Sequence, residues 1–294
     1  MKVRPATRED APAVAELFRS LEESVLGRPS RIDEQEVLGW WQGIALETNT
    51  WLFEESETVV AGGGGAHRPG DRGVFAGGVR PSAQGRGLGT QLVELAEARL
   101  AEEGAGRIQS WALAGDAAAS DLFTRRGYRE VRRFWQMATD FEDEQPEPSV
   151  PIDSFREEEA RAVHAALEEA FEDHWENHPR PFEQWWERQS GWVGYDPSLW
   201  FSIRDGDEIA AAVINDINPT AGGHVGVLGV RRAWRGRGYG RALLLHSFRE
   251  FRRRGARRAT LGVDAASPTG ATHLYESVGM HVEQEEIVWE KVLR

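Results

Sequence analysis

The chain has 294 residues, 40% of them hydrophobic, which is enough for two ordinary domains with buried cores. A formal charge of −13 argues against nucleic acid or an anionic membrane as a partner, because phosphate groups would be repelled. The chain contains no cysteine, which excludes disulfides, a cysteine nucleophile and thiolate metal sites. The first ten residues lack the apolar core of a secretory signal, so we expect a cytoplasmic protein.

The first half predicts a strand, a glycine-rich turn and a helix in succession. A β-like run over residues 73–80 precedes the glycine-rich stretch 84–90. The segment that follows is amphipathic, and helical spacing places three leucines on one face: Leu88, Leu92 and Leu95. Gly104 is the predicted end of this helix, because glycine often follows the last helical residue.

A short apolar strand is predicted next, over residues 108–113, and a loop of small and polar residues follows it. Phe123 and the pair Gly127-Tyr128 complete this half. Residues 140–151 then combine acidic side chains with three prolines, a composition typical of a solvated, rather stiff linker.

The second half repeats the first in the same order. A β-like run over 225–231 leads into the glycine-rich stretch 235–241, and an amphipathic segment carries Leu244, Phe248 and Phe251 on one face. Gly255 ends the predicted helix, and residues 259–263 form the next strand. Because the two halves stay in register, we predict one fold present twice: a first domain 1–141, a linker 142–151 and a second domain 152–294.

The glycine-rich stretches have the chemistry of an anion site. Two glycines separated by one residue allow a tight turn with exposed N–H groups, and the first turn of the next helix adds unpaired donors and partial positive charge. A pyrophosphate suits such a site. Neither stretch has the spacing of a Rossmann dinucleotide site or the ending of a P-loop, and a purely structural turn is the alternative interpretation.

Both stretches match Arg/Gln-x-x-Gly-x-Gly/Ala, the acetyl-CoA signature of the GNAT (GCN5-related) acetyltransferase superfamily. The first reads Gln84-Gly85-Arg86-Gly87-Leu88-Gly89 and the second Arg235-Gly236-Arg237-Gly238-Tyr239-Gly240. The chain therefore resembles a tandem GNAT protein over most of both halves. The resemblance implies an α/β (α+β) fold in each half, with a mixed, mostly antiparallel central sheet flanked by helices.

The resemblance also implies where acetyl-CoA, the expected co-substrate, binds. In the second half the implied residues are the backbone of Leu228, Gly229 and Val230 for the pantetheine arm, and Arg235, Gly236, Arg237, Gly238, Tyr239, Gly240 and Arg241 for the pyrophosphate. In the first half they are Gln84, Gly85, Arg86, Gly87, Leu88, Gly89 and Thr90.

One tyrosine distinguishes the halves. In the family, a tyrosine of the Leu-Tyr-Glu segment often protonates the departing CoA thiolate; here that residue is Tyr275, and the first half has Phe123 at the same place. We therefore expect the second domain to be active and the first to be catalytically degenerate. The alternative for Tyr275 is a packed aromatic ring at the pocket edge.

The general base is left open by the sequence. Strand 222–230 has no glutamate, and the candidates are His224, Asp216, Glu172, Asp173, His174 and Glu176. His174 and His178 have no third ligand at metal-site spacing, so no metal is expected. We expect most of the neighbouring aromatic residues to pack as core, with one or two lining an acceptor pocket: Trp185, Trp186, Trp192, Tyr195 and Trp200.

The sequence therefore predicts an N-acetyltransferase that transfers an acetyl group from acetyl-CoA to a primary amine, by direct attack in a ternary complex. The expected acceptor is a small molecule, with neither nucleic acid nor membrane as a partner. Two alternatives stay open: a non-catalytic acyl-CoA-binding sensor, and an acetyltransferase of proteins or peptides.

Overall fold

The computed structural model describes residues 1–141 and 146–293, so residues 142–145 of the predicted linker lie outside the described part. By its contacts the chain divides into two units, Met1–Phe134 with Glu285–Arg294, and Trp135–Gln284. Each unit has a mixed sheet with helices packed against it, which confirms the predicted α/β fold.

The first unit begins with a short edge strand. The last strand of the first repeat is divided between the units: its residues 129–134 belong to the first unit and its residues 135–140 to the second. The sheet of the first unit has the order β1-β2-β3-β4-β5, antiparallel except between β4 and β5. The elements, in chain order, are β1 (Lys2–Arg4), α1 (Ala11–Leu26), α2 (Glu34–Trp40), α3 (Leu46–Asn49), β2 (Thr50–Glu55), β3 (Thr58–Arg68), β4 (Arg72–Val79), α4 (Leu88–Glu102), β5 (Arg107–Leu113), α5 (Ala117–Arg125) and β6 (Arg129–Asp140).

The second unit repeats this plan. Its sheet contains the order β11-β10-β9-β8-β7, in which β10 and β11 are parallel and the other pairs antiparallel. The elements, in chain order, are β7 (Asp153–Ser154), α6 (Ala160–Ala170), α7 (Phe182–Ser190), β8 (Phe201–Asp205), β9 (Glu208–Asn218), β10 (Gly222–Val230), α8 (Tyr239–Arg253), β11 (Arg258–Asp264), α9 (Ala271–Glu276) and β12 (His281–Val292).

The last part of β12 belongs to the first unit. Residues 286–292 pair antiparallel with residues 113–107 of β5, and they add a strand beside it. The predicted division into 1–141 and 152–294 follows the sequence repeat. The compact units instead place residues 135–141 in the second unit and residues 285–294 in the first. The repeat and the contacts are thus two different divisions of the same chain.

The helix after each glycine-rich loop buries one face, as predicted. Leu244, Phe248 and Phe251 of α8 are fully buried against the sheet of the second unit. In α4 the buried stripe runs through Leu92, Ala96 and Leu100, so the prediction that Leu95 faces the core was wrong, and this side chain is 36% exposed.

Both helices end where glycine was expected to end them. The last helical residues are Glu102 and Arg253, and the backbone turns into the left-handed region at Gly104 and Gly255. Among the helices of residues 1–141 and 146–293, none combines the length and apolarity needed to cross a membrane.

Candidate active site

The glycine-rich loop of the second unit joins β10 to α8. After a short 3-10 turn, Gly236 and Gly238 adopt φ of 76° and 80°, and Gly238 caps the helix from this left-handed conformation. Within the described part of the chain, the amide N–H groups of residues 236–241 donate to no backbone carbonyl or side chain. Six adjoining donors at a helix N-terminus form a site for a diffuse anion such as a pyrophosphate.

The loop of the first unit has the same geometry. Gly85 and Gly87 have φ of 74° and 79°, and Gly87 caps α4 as Gly238 caps α8. The amides of residues 85–90 likewise have no acceptor among the described residues. Both loops are therefore built as anion sites, and the difference between the units lies elsewhere.

The arginine side chains of the second loop differ in their surroundings. The Arg235 guanidinium donates to the carbonyl oxygens of Val230 (3.3 Å) and Ala170 (3.0 Å), so it braces the loop against β10 and α6. Arg237 lies 3.6 Å from a carboxylate oxygen of Asp205. Arg241 is exposed and has no side-chain partner among the described residues. A role of these three side chains in phosphate binding stays a prediction.

The parallel strands of each unit part beside their loop. The pairing of β10 with β11 covers Gly223 with Ala259 and His224 with Thr260, and it ends there. Residues 227–230 pair with β9 alone, so their other edge offers free backbone groups next to the loop. In the first unit β4 leaves β5 after Phe75 in the same way.

Tyr275 lies on α9, which packs against the first turn of α8. A Cβ added to Gly240 would lie 2.9 Å from Leu274 Cδ2, so the preceding residue of α9 touches the loop. Burial raises the pKa of the Tyr275 hydroxyl to about 12, which keeps it protonated at neutral pH. No hydrogen bond from its oxygen to a described residue is present, and burial alone accounts for the raised pKa, so the hydroxyl can donate to a ligand.

The corresponding residue of the first unit, Phe123, has no polar atom to offer. Its ring is buried and packs against Tyr128 and Trp289, with ring centres 5.0 and 5.8 Å apart. Phe123 and Tyr275 are both buried, so the asymmetry predicted from the sequence is the presence of a hydroxyl in the second unit and its absence in the first.

A second polar group lies where β10 and β11 part. Asp216 on β9 is the direct cross-strand partner of His224, so both side chains are on one face of the sheet. His224 Nδ1 is 3.1 Å from Thr260 Oγ1 on β11. Burial raises the pKa of the Asp216 carboxyl, and the neighbouring His224 offsets part of this effect.

The first unit has apolar residues at both positions. There the cross-strand pair is Ala66 and Val74. The strands also differ in length, because a β-bulge around Gly226 interrupts the register of β10 and no shift occurs between β3 and β4. The extra residue is visible in the sequence as a change in the spacing of the repeat. Val230 lies 151 residues after its equivalent Val79, whereas His224 lies 150 residues after its equivalent Val74.

The other predicted candidates for a base do not meet at this place. Asp173 and Glu172 form ion pairs with Arg232, at 2.8 and 3.6 Å. His174 is half-buried against Phe171, and burial lowers the pKa of its imidazole. Glu176 lies 3.4 Å from the ring of His178. In residues 1–141 and 146–293, no three His, Asp or Glu side chains are grouped to hold a metal ion.

The predicted aromatic residues form most of a core over α6 and α7. Trp185 and Trp200 are buried, and Trp186 contacts both of them. Tyr195 packs edge to face on Trp200, and its hydroxyl bonds to Glu157 at 3.3 Å. The prediction that most of them are core is confirmed for these four.

Comparison with known proteins gives a consistent result. The model of the acetyltransferase (GNAT) family matches residues 13–128 and again residues 160–280. A mycothiol acetyltransferase of Thermobispora bispora is 31% identical over 215 residues, which cover 68% of this chain and 70% of that protein.

Solved structures extend the similarity to the whole chain. A GCN5-related N-acetyltransferase of Sphaerobacter thermophilus superposes with a TM-score of 0.86 at 32% identity, covering 100% of this chain and 96% of that one. A tandem GNAT protein of the clavulanic acid biosynthesis pathway shares the fold, with a TM-score of 0.79 at 13% identity, covering 100% and 98% of the two chains.

Proposed function

The chain belongs to the acetyltransferase (GNAT) family, and on that basis we propose that its second unit transfers an acetyl group from acetyl-CoA to the primary amine of a small molecule. One observation carries the proposal. The second unit combines a loop of free amides with Tyr275 and the Asp216–His224 pair, whereas the first unit has the loop alone.

The loop and the free strand edge hold the donor. Residues 236–241 bind the pyrophosphate through their N–H groups, and residues 227–230 bind the pantetheine arm as an added strand would. Asp216 and His224 lie on one face of the sheet at the point where β10 and β11 part, and this face is the acceptor side. The acidic protein also attracts a cationic amine.

The reaction needs two proton transfers. His224 and Asp216 accept the proton that an ammonium must lose before its nitrogen has a lone pair. The nitrogen then forms a bond to the thioester carbonyl carbon, a backbone N–H of β10 stabilises the oxyanion, and the carbon–sulfur bond breaks. Tyr275 donates its proton to the departing sulfur, because a CoA thiol with a pKa near ~8.5 is only a moderate leaving group.

Small molecules are the favoured acceptor class because the relatives that are at least 30% identical over two thirds or more of this chain include mycothiol acetyltransferases. The acceptor of those enzymes therefore belongs in any panel of amines. Protein or peptide acceptors would need an open groove beside His224, and the panel should contain one lysine peptide as a comparison.

The test is release of CoA from acetyl-CoA across this panel, with two matched variants. Gly238→Asp places a carboxylate in the proposed anion site, where an added Cβ meets no other atom; aspartate tolerates the left-handed backbone of this position better than most residues, so folding should persist at a cost of about 1 kcal/mol. We expect it to lower turnover by more than about 100-fold, while Gly87→Asp in the first unit leaves turnover within about twofold. Undiminished transfer by Gly238→Asp would refute the proposed cofactor site, and loss of transfer only in Gly87→Asp would move the activity to the first unit.

A further inference from the structure

The first unit contains an apolar cavity of about 110 Å³ on the face of its sheet that carries α1 and α2. Its floor is formed by neighbouring residues of two antiparallel strands, with Gly64 opposite Ala76 and Ala66 opposite Val74. Large side chains form the walls: Phe18, Trp40, Trp41 and Ile44. Arg68, at one end, is the charged residue of the lining.

The space exists because the floor residues are small. A Cβ added to Gly64 would lie 3.1 Å from Thr50 Cγ2, so any larger residue there would protrude into the cavity. The equivalent residues of the second unit, 150 positions later, are larger: Ile214 replaces Gly64, and Asp216 replaces Ala66. The cavity is thus a property of the first unit's own sequence and not of the shared fold.

The cavity opens where the proposed donor site ends. Ala76 is exposed, and it is the first residue of β4 after the strand leaves β5 at Phe75. From the free amides of residues 85–90, the unpaired edge of β4 runs back from Val79 to Ala76. A CoA thioester lying along that edge therefore presents its acyl group to the mouth of the cavity.

We infer that the first unit binds the CoA thioester of a short aliphatic acid, of the size of butyryl-CoA, and holds its acyl group in this cavity. By proportion to a cavity of ~150 Å³ that accepts the six carbons of benzene, the space suits about four carbon atoms. The inference rests on the proposed binding of CoA to the glycine-rich loop. It assigns the first unit a ligand other than the acetyl-CoA consumed by the second.

The first unit does not transfer this acyl group. Phe123 has no proton to give to a thiolate, and Ala66 and Val74 stand where the second unit has a carboxylate and an imidazole. The site therefore retains its ligand unchanged, and it can report the supply of short acyl groups.

The test is calorimetric binding to the full chain carrying Gly238→Asp, so that only the first loop binds CoA. Butyryl-CoA should bind roughly 15-fold more tightly than acetyl-CoA, because each buried methylene contributes roughly fourfold. Val74→Phe fills the cavity and should abolish this preference while the affinity for free CoA is kept. Ala76→Leu, at the exposed mouth, provides a second blocking variant with little risk to folding, and Val131→Phe, on the surface of the same unit, is the matched control.

Equal affinities for acetyl-CoA and butyryl-CoA would overturn the inference, as would a preference that survives both blocking variants. If the unmodified protein binds one equivalent of CoA and the Gly238→Asp protein binds none, the inference fails and the proposed function stands. If the unmodified protein binds no CoA at all, both fail.

Discussion

The guanidinium of Arg235 donates to the carbonyl oxygen of Ala170, 3.0 Å away, and thereby ties the glycine-rich loop to the last residue of α6. The sequence pattern assigned this arginine to the pyrophosphate. Its hydrogen bonds are to backbone carbonyl groups, and it also lies 3.7 Å from a carboxylate oxygen of Asp173, so we expect the amides of residues 236–241 to be the first partners of an anionic ligand.

Arg235→Gln is therefore expected to act mainly on stability. The first unit has Gln84 at the equivalent position, so glutamine suits the fold. We expect the free energy of unfolding to fall by about 1–2 kcal/mol through the lost bonds, and the affinity for CoA to fall by less than about threefold. Thermal unfolding and calorimetric titration measure the two effects. A loss of CoA affinity as large as that of Gly238→Asp would show that the guanidinium turns to the phosphates.

Tyr275→Phe should lower kcat by about 100-fold with little change in the KM for acetyl-CoA, because the acid acts on the leaving sulfur and not on donor binding. Steady-state kinetics with saturating acceptor measures both constants. Tyr195→Phe is the matched control, since it removes a hydroxyl that bonds Glu157 in the same unit. A packing role for Tyr275 predicts instead an unchanged kcat and a lower unfolding temperature.

Asp216→Asn should change the pH dependence of turnover. The carboxylate is the form that accepts a proton, and burial raises the pKa of Asp216, so wild-type activity falls as pH drops through a range above that of an ordinary carboxyl. The variant should lose this acidic limb together with about 100-fold or more of kcat. A retained limb of unchanged position would assign the titration to another group, and His224→Gln in parallel tests the partner.

Phe123→Tyr should not activate the first unit. It restores the proton donor, but Ala66 and Val74 still leave that unit without a base. In a chain that also carries Tyr275→Phe, turnover is expected to stay at the level of the single variant. Recovery of even a tenth of wild-type turnover would contradict the division of roles between the units.

Glu36 on α2 gives the first unit a pH-dependent stability. Burial, with Glu22, Asp33 and Glu286 nearby, raises the pKa of its carboxyl to about 7. Because the folded state favours the protonated form, this contribution is complete below the ordinary value of 4.5 and disappears as pH rises through about 7. Glu36→Gln should therefore be more stable than wild type at pH 8, with a free energy of unfolding higher by about 3 kcal/mol, and equally stable at pH 4, as thermal unfolding at the two pH values would measure. Glu34→Gln on the same helix is the control.

The features that the sequence predicts well are those that depend on neighbouring residues along the chain. The turns at Gly87 and Gly238 need a left-handed backbone, and the helices that follow need one apolar face, so both appear directly as residue patterns. The repetition of these patterns predicted the tandem fold, and the family match confirms it.

Features that depend on pairing between distant strands were not predictable in the same way. Asp216 and His224 were separate candidates, because only the strand register shows that they face each other, and the bulge at Gly226 decides that register. Thr260 was missed, since nothing near it in sequence indicates that β11 places it beside His224. The change of repeat spacing from 150 to 151 residues within β10 was the one feature of the sequence that could have indicated the bulge.

The pairing of Glu286–Val292 with β5 has a consequence for the nascent chain. Arg107 and its partner Glu290 are 183 positions apart, so at about 5–20 residues per second the ribosome needs about 10–40 s to deliver the second after the first. Throughout that interval one edge of β5 lacks its neighbour and is open to aggregation or chaperone capture. Polypeptides released early, before residue 285, would keep that exposed edge permanently.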